Sequence, residues 1–246
     1  MLHGIQSHSG WYVGSAEHLA QAGVSVVAPD RRGSGMNTQA RGDAPNHRVL
    51  LEDVRRTVIQ AHQLFPGRPV HLVGISWGGK LAAAFALRYR HMLRSLILIT
   101  PGLYPQVDLR LLDKLAVLFQ RFWEPGRLFP IPLCDPRLFT ANPDRVHYIA
   151  EDPLSLHRAT ARFLMVSRLL DVLVQRQSPT LRLPVLLFLA GQDRIVDNLK
   201  LRRFFEALPG PYTRLVVYPG AHHTLEFEPD PRTFFEELVQ WTLAAH

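Results

Sequence analysis

Val70-His71-Leu72-Val73-Gly74-Ile75-Ser76-Trp77-Gly78-Gly79-Lys80 is the stretch that decides the fold. It opens as a short apolar run with β-branched residues, closed by a glycine. It then passes into an Ala/Leu-rich segment that runs to Tyr89 with helical spacing. A buried strand that feeds directly into a helix through a glycine-rich turn is the context in which Gly74-x-Ser76-x-Gly78 carries chemistry. There a serine sits on a sharp turn with its hydroxyl projecting from the sheet, and the flanking glycines leave room for backbone. A phosphate-binding or merely tight turn is the other use of such a sequence.

The same rhythm extends in both directions. Val24–Ala28 ends at Pro29-Asp30, and Leu96–Ile99 ends at Pro101-Gly102. Val185–Leu189 ends at Gly191, and Leu215–Tyr218 ends at Pro219-Gly220. Near-continuous apolar runs of this length, each closed by a turn former, predict strands buried on both faces of a parallel sheet. Helical patterns lie between them, over His47–Phe65, Lys80–Tyr89, Leu199–Leu208 and Thr233–Ala244. The alternation predicts an α/β fold, a mostly parallel sheet covered by helices on both faces. Residues 103–178 interrupt it. Leu111, Leu112, Leu115, Leu118, Phe119 and Phe122 recur at helical spacing, no strand is evident, and the proline-rich stretch 125–143 separates two helical parts. The expected organisation is a core made of residues 1–102 and 179–246, with a helical insertion over 103–178.

Composition narrows the class. The chain has 246 residues, 47% hydrophobic and 20% charged, which suits a folded domain with a sizeable core. No apolar run is long enough to span a bilayer, and Met1-Leu2-His3-Gly4 does not read as a signal peptide. The single cysteine, Cys134, excludes an internal disulfide framework or a multi-cysteine metal site, and a cytoplasmic location is the expectation. The net charge of +7 divides as +6, +2 and −1 over residues 1–102, 103–178 and 179–246. Apart from Lys80, Lys114 and Lys200 the cations are arginines, scattered through helical patterns with no run and no interleaved aromatics. Nucleic acid is therefore not an expected partner. Weak attraction to an anionic membrane surface is what such a charge can support.

A serine nucleophile needs a base, and the base an orienting carboxylate. Gly191-Gln192-Asp193 follows one predicted strand and Gly220-Ala221-His222-His223 follows the next. The chain order serine, acid, histidine is that of α/β-hydrolases, with each group at the carboxyl end of a parallel strand. Spacing alone leaves Asp193 open against Asp197, and His223 against His222. An oxyanion hole needs two backbone N–H groups. Trp77, just after the serine, is one candidate, and Ile5, in the loop His3-Gly4-Ile5, is the other.

These motifs together resemble the monoacylglycerol lipase/lysophospholipase group of α/β-hydrolases, which overlaps the serine-aminopeptidase-like group (Hydrolase_4). His3-Gly4-Ile5-Gln6-Ser7-His8-Ser9-Gly10-Trp11-Tyr12 is similar to that group's H-G-x-G-E-H-S-G-R-Y, with departures at Gln6, Ser7 and Trp11. Asp30-Arg31-Arg32-Gly33-Ser34-Gly35 resembles D-x-R-G-x-G. Ile149–Leu154 resembles the Y-x-x-D-P-L element of the cap, and Gly220–Leu225 resembles G-A-x-H-x-L. The resemblance covers essentially the whole chain. It implies Asp193 as the acid, His223 as the base and residues 103–178 as a cap over the pocket. It further implies acyl transfer from a lipophilic ester to water with no cofactor and no metal. Leu115, Phe119, Phe122 and Trp123 are then candidates to line an acyl pocket. An aminopeptidase would need a buried acid near the pocket, for which Glu124, Asp152 and Asp171 are candidates, and a non-catalytic ligand-binding relative is the remaining alternative.

In this family His3-Gly4 directly follows the third, central strand. Here only Met1 and Leu2 precede it. The expectation is an incomplete version of a longer chain with a loosened oxyanion loop, or else a repaired sheet in which the strand ending at Asp30 pairs directly with the strand at Val70.

Overall fold

The computed structural model describes residues 1–210 and 212–244. The elements run in the order α1 (Val13–Gln21), α2 (His47–Leu64), β1 (His71–Ile75), α3 (Trp77–Tyr89), β2 (Ser95–Ile99), α4 (Leu111–Trp123) and β3 (Leu128–Pro130). Next come α5 (Pro143–Glu151), β4 (Arg158–Thr160), α6 (Ala161–Gln177), β5 (Val185–Ala190), α7 (Asn198–Glu206), β6 (Thr213–Tyr218) and α8 (Arg232–Leu243).

The four long strands form one parallel sheet in the order β1-β2-β5-β6, as the apolar runs predict. Every residue of β2 and β5 is buried, because helices cover both faces. Helix α3 lies along β1 and β2 and packs on α2, while α1 packs on α8. Phe234 of α8 meets Phe188 of β5 edge-on at 5.2 Å. The register pairs Ile75 with Ile99 and Ile99 with Phe188, which brings the carboxyl ends of β1, β2 and β5 level.

Two expectations are corrected. The segment between β2 and β5 is not wholly helical. It contains an antiparallel pair, β3 with β4, in which Phe129 faces Ala159. Proline-rich sequence on one side and a three-residue partner on the other hid this pair from periodicity. Secondly, Val24–Ala28 joins no ladder, and the direct pairing with the Val70 strand does not form. Met1 and Leu2 lie between the two segments at one end. Leu2 N–H donates to the Val73 carbonyl at 2.8 Å and its carbonyl accepts from Ile75 N–H at 2.9 Å. The Met1 amine reaches the Val27 carbonyl at 2.6 Å. Beyond them, a cavity of about 510 Å³ lined by Leu19, Val24, Val26, Val54, Val58 and Val70 separates the would-be partners. Among the described residues no helix is long and apolar enough to cross a membrane.

Candidate active site

The turn between β1 and α3 holds Ser76 at φ 51°, ψ −120°, in the left-handed half of backbone space that non-glycine residues seldom occupy. The conformation is held by its surroundings. Ser76 N–H donates to the Ile99 carbonyl at 2.9 Å, and the Ser76 carbonyl accepts from Gly79 and Gly102 N–H, each at 2.8 Å. The flanking glycines have a steric reason. A Cβ at Gly74 would lie 2.6 Å from the Ala82 methyl, and one at Gly78 would collide with the Leu2 carbonyl oxygen. The strand thus passes directly into the helix, with the serine at the apex and only 8% exposed.

His223 and Asp193 arrive at that apex from the loops after β6 and β5. The Asp193 carboxylate Oδ2 lies 2.7 Å from His223 Nδ1, and His223 Nε2 lies 2.8 Å from Ser76 Oγ. A carboxylate only accepts, so Nδ1 carries the imidazole proton and Nε2 is free to accept from the serine hydroxyl. Both partners in this hydrogen bond are nearly inaccessible, with side chains 2% and 0% exposed. The other Asp193 oxygen, Oδ1, accepts from Ile195 N–H at 2.8 Å and Val196 N–H at 3.2 Å, which fixes the carboxylate plane. Thr100 Oγ1 donates to the His223 carbonyl at 2.9 Å, and the Phe139 ring meets the imidazole edge-on at 6.0 Å.

The competing residues have other occupations. Asp197 caps α7 by accepting from Lys200 N–H at 3.0 Å. His222 is turned to Glu228, which accepts its backbone N–H at 2.9 Å.

Of the two candidate oxyanion donors, Trp77 begins α3, so its N–H is one of the helix-terminal donors without an intrahelical partner. Ile5 follows Gly4, which is packed against the serine: a Cβ on Gly4 would stand 3.3 Å from Ser76 Cβ. Gln6 and Ser7 have found partners of their own. The Gln6 carbonyl accepts from Leu156 N–H at 2.9 Å, and Ser7 Oγ is 3.0 Å from the Tyr12 hydroxyl. His3 accepts Arg31 N–H on Nε2 at 2.8 Å and donates from Nδ1 to the Gly4 carbonyl at 2.9 Å. It is therefore neutral. Burial, with the Arg31 charge behind it, pushes its pKa down to about 3.

The three acids considered for holding a substrate amine are engaged or remote. Asp152 accepts from His8, Trp11 and Ser155, with Trp11 Nε1 at 2.8 Å. Asp171 is paired with Lys80 at 2.6 Å inside the protein. Glu124 is exposed.

The candidate acyl-pocket residues require correction. Leu115, Phe119, Phe122 and Trp123 are 55%, 58%, 73% and 74% exposed, so they lie on the outer face of α4. Helix α4 buries its opposite side, where Val117 packs with Phe129 and Ala161. Helical spacing showed that α4 has an apolar stripe but not which way the stripe faces. Sequence reasoning missed Phe139, Phe163, Arg31 and the Lys80–Asp171 pair. No local motif marks these, because each acquires its neighbour from a distant segment.

The chain is similar over nearly its whole length to known proteins. The chain is 29% identical over 245 residues to human monoglyceride lipase, covering 97% of this chain and 80% of that protein. It is 25% identical to phospholipase YtpA of Bacillus subtilis, covering 98% and 93%. The monoacylglycerol lipase of Paleococcus ferrophilus superposes with a TM-score of 0.89 at 25% identity, covering 98% of this chain and 91% of the other. The α/β-hydrolase fold expected from the strand–turn–helix rhythm is thus the fold observed. The profile of the family described as Serine aminopeptidase, S33 matches residues 1–230, and the chain belongs to that family.

Proposed function

We propose that the chain is a serine hydrolase that cleaves carboxylic esters of lipophilic substrates, of the monoacylglycerol or lysophospholipid kind. The observation that carries the reading is the continuous hydrogen-bond relay from Ser76 Oγ through His223 to Asp193, buried and anchored by the Ile195 and Val196 amides. In this reading His223 Nε2 takes the Ser76 proton as Oγ attacks the ester carbonyl. Asp193 holds the imidazole in the accepting tautomer and stabilises the imidazolium. The N–H groups of Ile5 and Trp77 receive the negative charge on the tetrahedral intermediate. The imidazolium returns its proton to the departing alcohol, and His223 then activates water to release the acid.

Residues 103–178 act as the cap over this site, between core parts 1–102 and 179–246. The cap is tied down near the serine, where Trp77 Nε1 donates to Ser167 Oγ of α6 at 2.9 Å. The exposed apolar side of α4 supports contact with a lipid surface from which substrate is drawn, in line with the net charge of +7 and an anionic membrane. The amide-cleaving alternative is less well supported, since Asp152 and Asp171 are both engaged by partners.

The test is labelling by a fluorophosphonate together with hydrolysis of a long-chain monoacylglycerol. Ester turnover and labelling that both vanish in Ser76→Ala support the proposal. Folded protein that neither labels nor hydrolyses is the non-catalytic alternative. Cleavage of an aminoacyl amide in preference to the ester returns the peptidase.

A further inference from the structure

The Asp30–Gly35 turn carries two adjacent arginines that behave differently. Arg32 points outward to α2, where Nη2 donates to Asp53 Oδ1 at 2.7 Å. Arg31 points inward. Burial lowers its pKa to about 9, partly offset by the nearby charge of Asp30. Its Nε is buried with no hydrogen-bond partner among the described residues. Burying a guanidinium is costly unless its surroundings compensate. Three contacts do so here. Nη2 donates to the Ile5 carbonyl at 3.1 Å, and Cζ lies 4.7 Å from the Trp77 ring centre and 5.0 Å from that of Phe163. The two rings stack on each other at 5.1 Å. Beneath them Ser167 Oγ accepts from Trp77 Nε1 at 2.9 Å and from Lys80 Nζ at 3.2 Å, and Lys80 is held by Asp171.

We propose that Arg31 is a positioning residue for the oxyanion hole, clamping the Ile5 loop against the Trp77 indole so that the two backbone donors keep a fixed separation. The inference rests on the proposed acyl-transfer reaction. The physical need is plain. The Gly-Glu pair of the family's pattern is absent from the Ile5 loop, which carries Gln6 and Ser7 in its place. The Ile5 and Trp77 amides come from segments about 70 residues apart in sequence, yet must converge on one oxygen. Arg31 joins them by a hydrogen bond on one side and a ring face on the other. A planar guanidinium does both at once, whereas a lysine ammonium in its place would not.

The experiment compares the wild type with Arg31→Met, Arg31→Lys and Phe163→Leu. Active serine is titrated with a fluorophosphonate, kcat per titrated site and KM are measured on a soluble ester, and amide hydrogen exchange is followed over residues 4–8. Arg31→Met and Arg31→Lys are expected to lower kcat per titrated site about 10- to 100-fold, less than or comparable to losing a donor outright, with KM changed by less than about 3-fold. Inhibition by a trifluoromethyl ketone, which mimics the tetrahedral intermediate, weakens in the same proportion. Exchange at Ile5–Ser7 quickens. Phe163→Leu keeps the charge and the Ile5 bond and loses only a few-fold. A residue that merely supports the fold would reduce the titratable fraction and Tm but leave kcat per titrated site intact. That outcome, with unchanged exchange at Ile5–Ser7, overturns the proposal. A wild type that cannot be titrated and hydrolyses no ester counts against the proposed function, and the exchange comparison then decides the positioning claim by itself.

Discussion

Asp193→Asn removes one charge and changes one atom at the centre of the proposed relay, and the hydrogen bonds around that carboxylate dictate how the variant must rearrange. Oδ1 of Asp193 accepts two backbone N–H groups, from Ile195 and Val196, while Oδ2, among the described residues, accepts from His223 alone. An asparagine keeps its single oxygen on the two-donor side. The opposite flip would set an NH2 against two buried N–H donors and leave them unsatisfied, at about 1–3 kcal/mol each. The NH2 therefore faces His223 Nδ1, which must become the acceptor. The imidazole proton moves to Nε2, the atom 2.8 Å from Ser76 Oγ, and the base can no longer take the serine proton. The expected loss in kcat is about 10⁴-fold, the value associated with this tautomer switch in serine proteases, or roughly 5.5 kcal/mol in the barrier. Tm should change little, because the loop bonds persist. Asp193→Ala breaks the loop bonds as well, and should lower stability by about 2–4 kcal/mol on top of the catalytic loss. The assay is initial-rate ester hydrolysis per titrated serine, with Tm measured alongside. An Asn variant that retains more than about a tenth of wild-type kcat would show that His223 does not depend on Asp193 for its tautomer, and would refute the relay as drawn.

Four further outcomes can be checked. His3 has a folded pKa of about 3 against 6.5 when unfolded, so the unfolded chain binds the extra proton between those values. Stability is therefore full above about pH 6.5 and falls on acidification, by roughly 3 kcal/mol from pH 7 to pH 4, and denaturant titrations of His3→Gln should show a correspondingly shallower pH slope. Lys80→Met or Asp171→Leu alone strands a buried charge and should cost about 3–5 kcal/mol, whereas the double variant should recover most of it; additive losses in urea melts would contradict the pairing. Fusing a short alternating β-branched segment ahead of Met1 should fill the cavity beside β1 and raise Tm by several degrees, each buried Val or Ile contributing about 1.5–3 kcal/mol. An unchanged Tm would mean that the groove does not accept a strand. Phe122→Ser with Trp123→Ser should weaken sedimentation with anionic vesicles while leaving hydrolysis of a soluble ester intact, and equal vesicle binding would remove α4 from the docking surface.

Much of this protein is local in origin and was therefore legible in the amino-acid order. The signal for the β1–turn–α3 unit lies within about ten residues of Ser76: an apolar run, two glycines and helix formers after them. The four parallel strands each announce themselves by an apolar run closed by a turn former, and Ser76, Asp193 and His223 follow three of those runs. The serine elbow and the loop positions of the acid and base were thus open to inspection without coordinates. Spacing did not choose His223 over His222, since adjacent residues on one loop differ only in which way they face, and there only the resemblance implied His223. Contact with Glu228 on one side and Ser76 on the other separates them.

What the tertiary structure alone decided are the properties that depend on residues far apart in sequence. Val24–Ala28 has all the composition of a strand, but a strand exists only by virtue of its partner, and a cavity separates this segment from the one at Val70. The apolar stripe of α4 reads as a pocket lining until the packing of Val117 inward turns Phe122 and Trp123 to solvent. Arg31 looks like one surface arginine among many, and only the convergence of Ile5, Trp77 and Phe163 makes it a half-buried contact to the loop beside the nucleophile. Periodicity reports which side of an element is apolar. Which neighbour that side meets is set by chain closure over the whole fold, and that information is not held in any one segment.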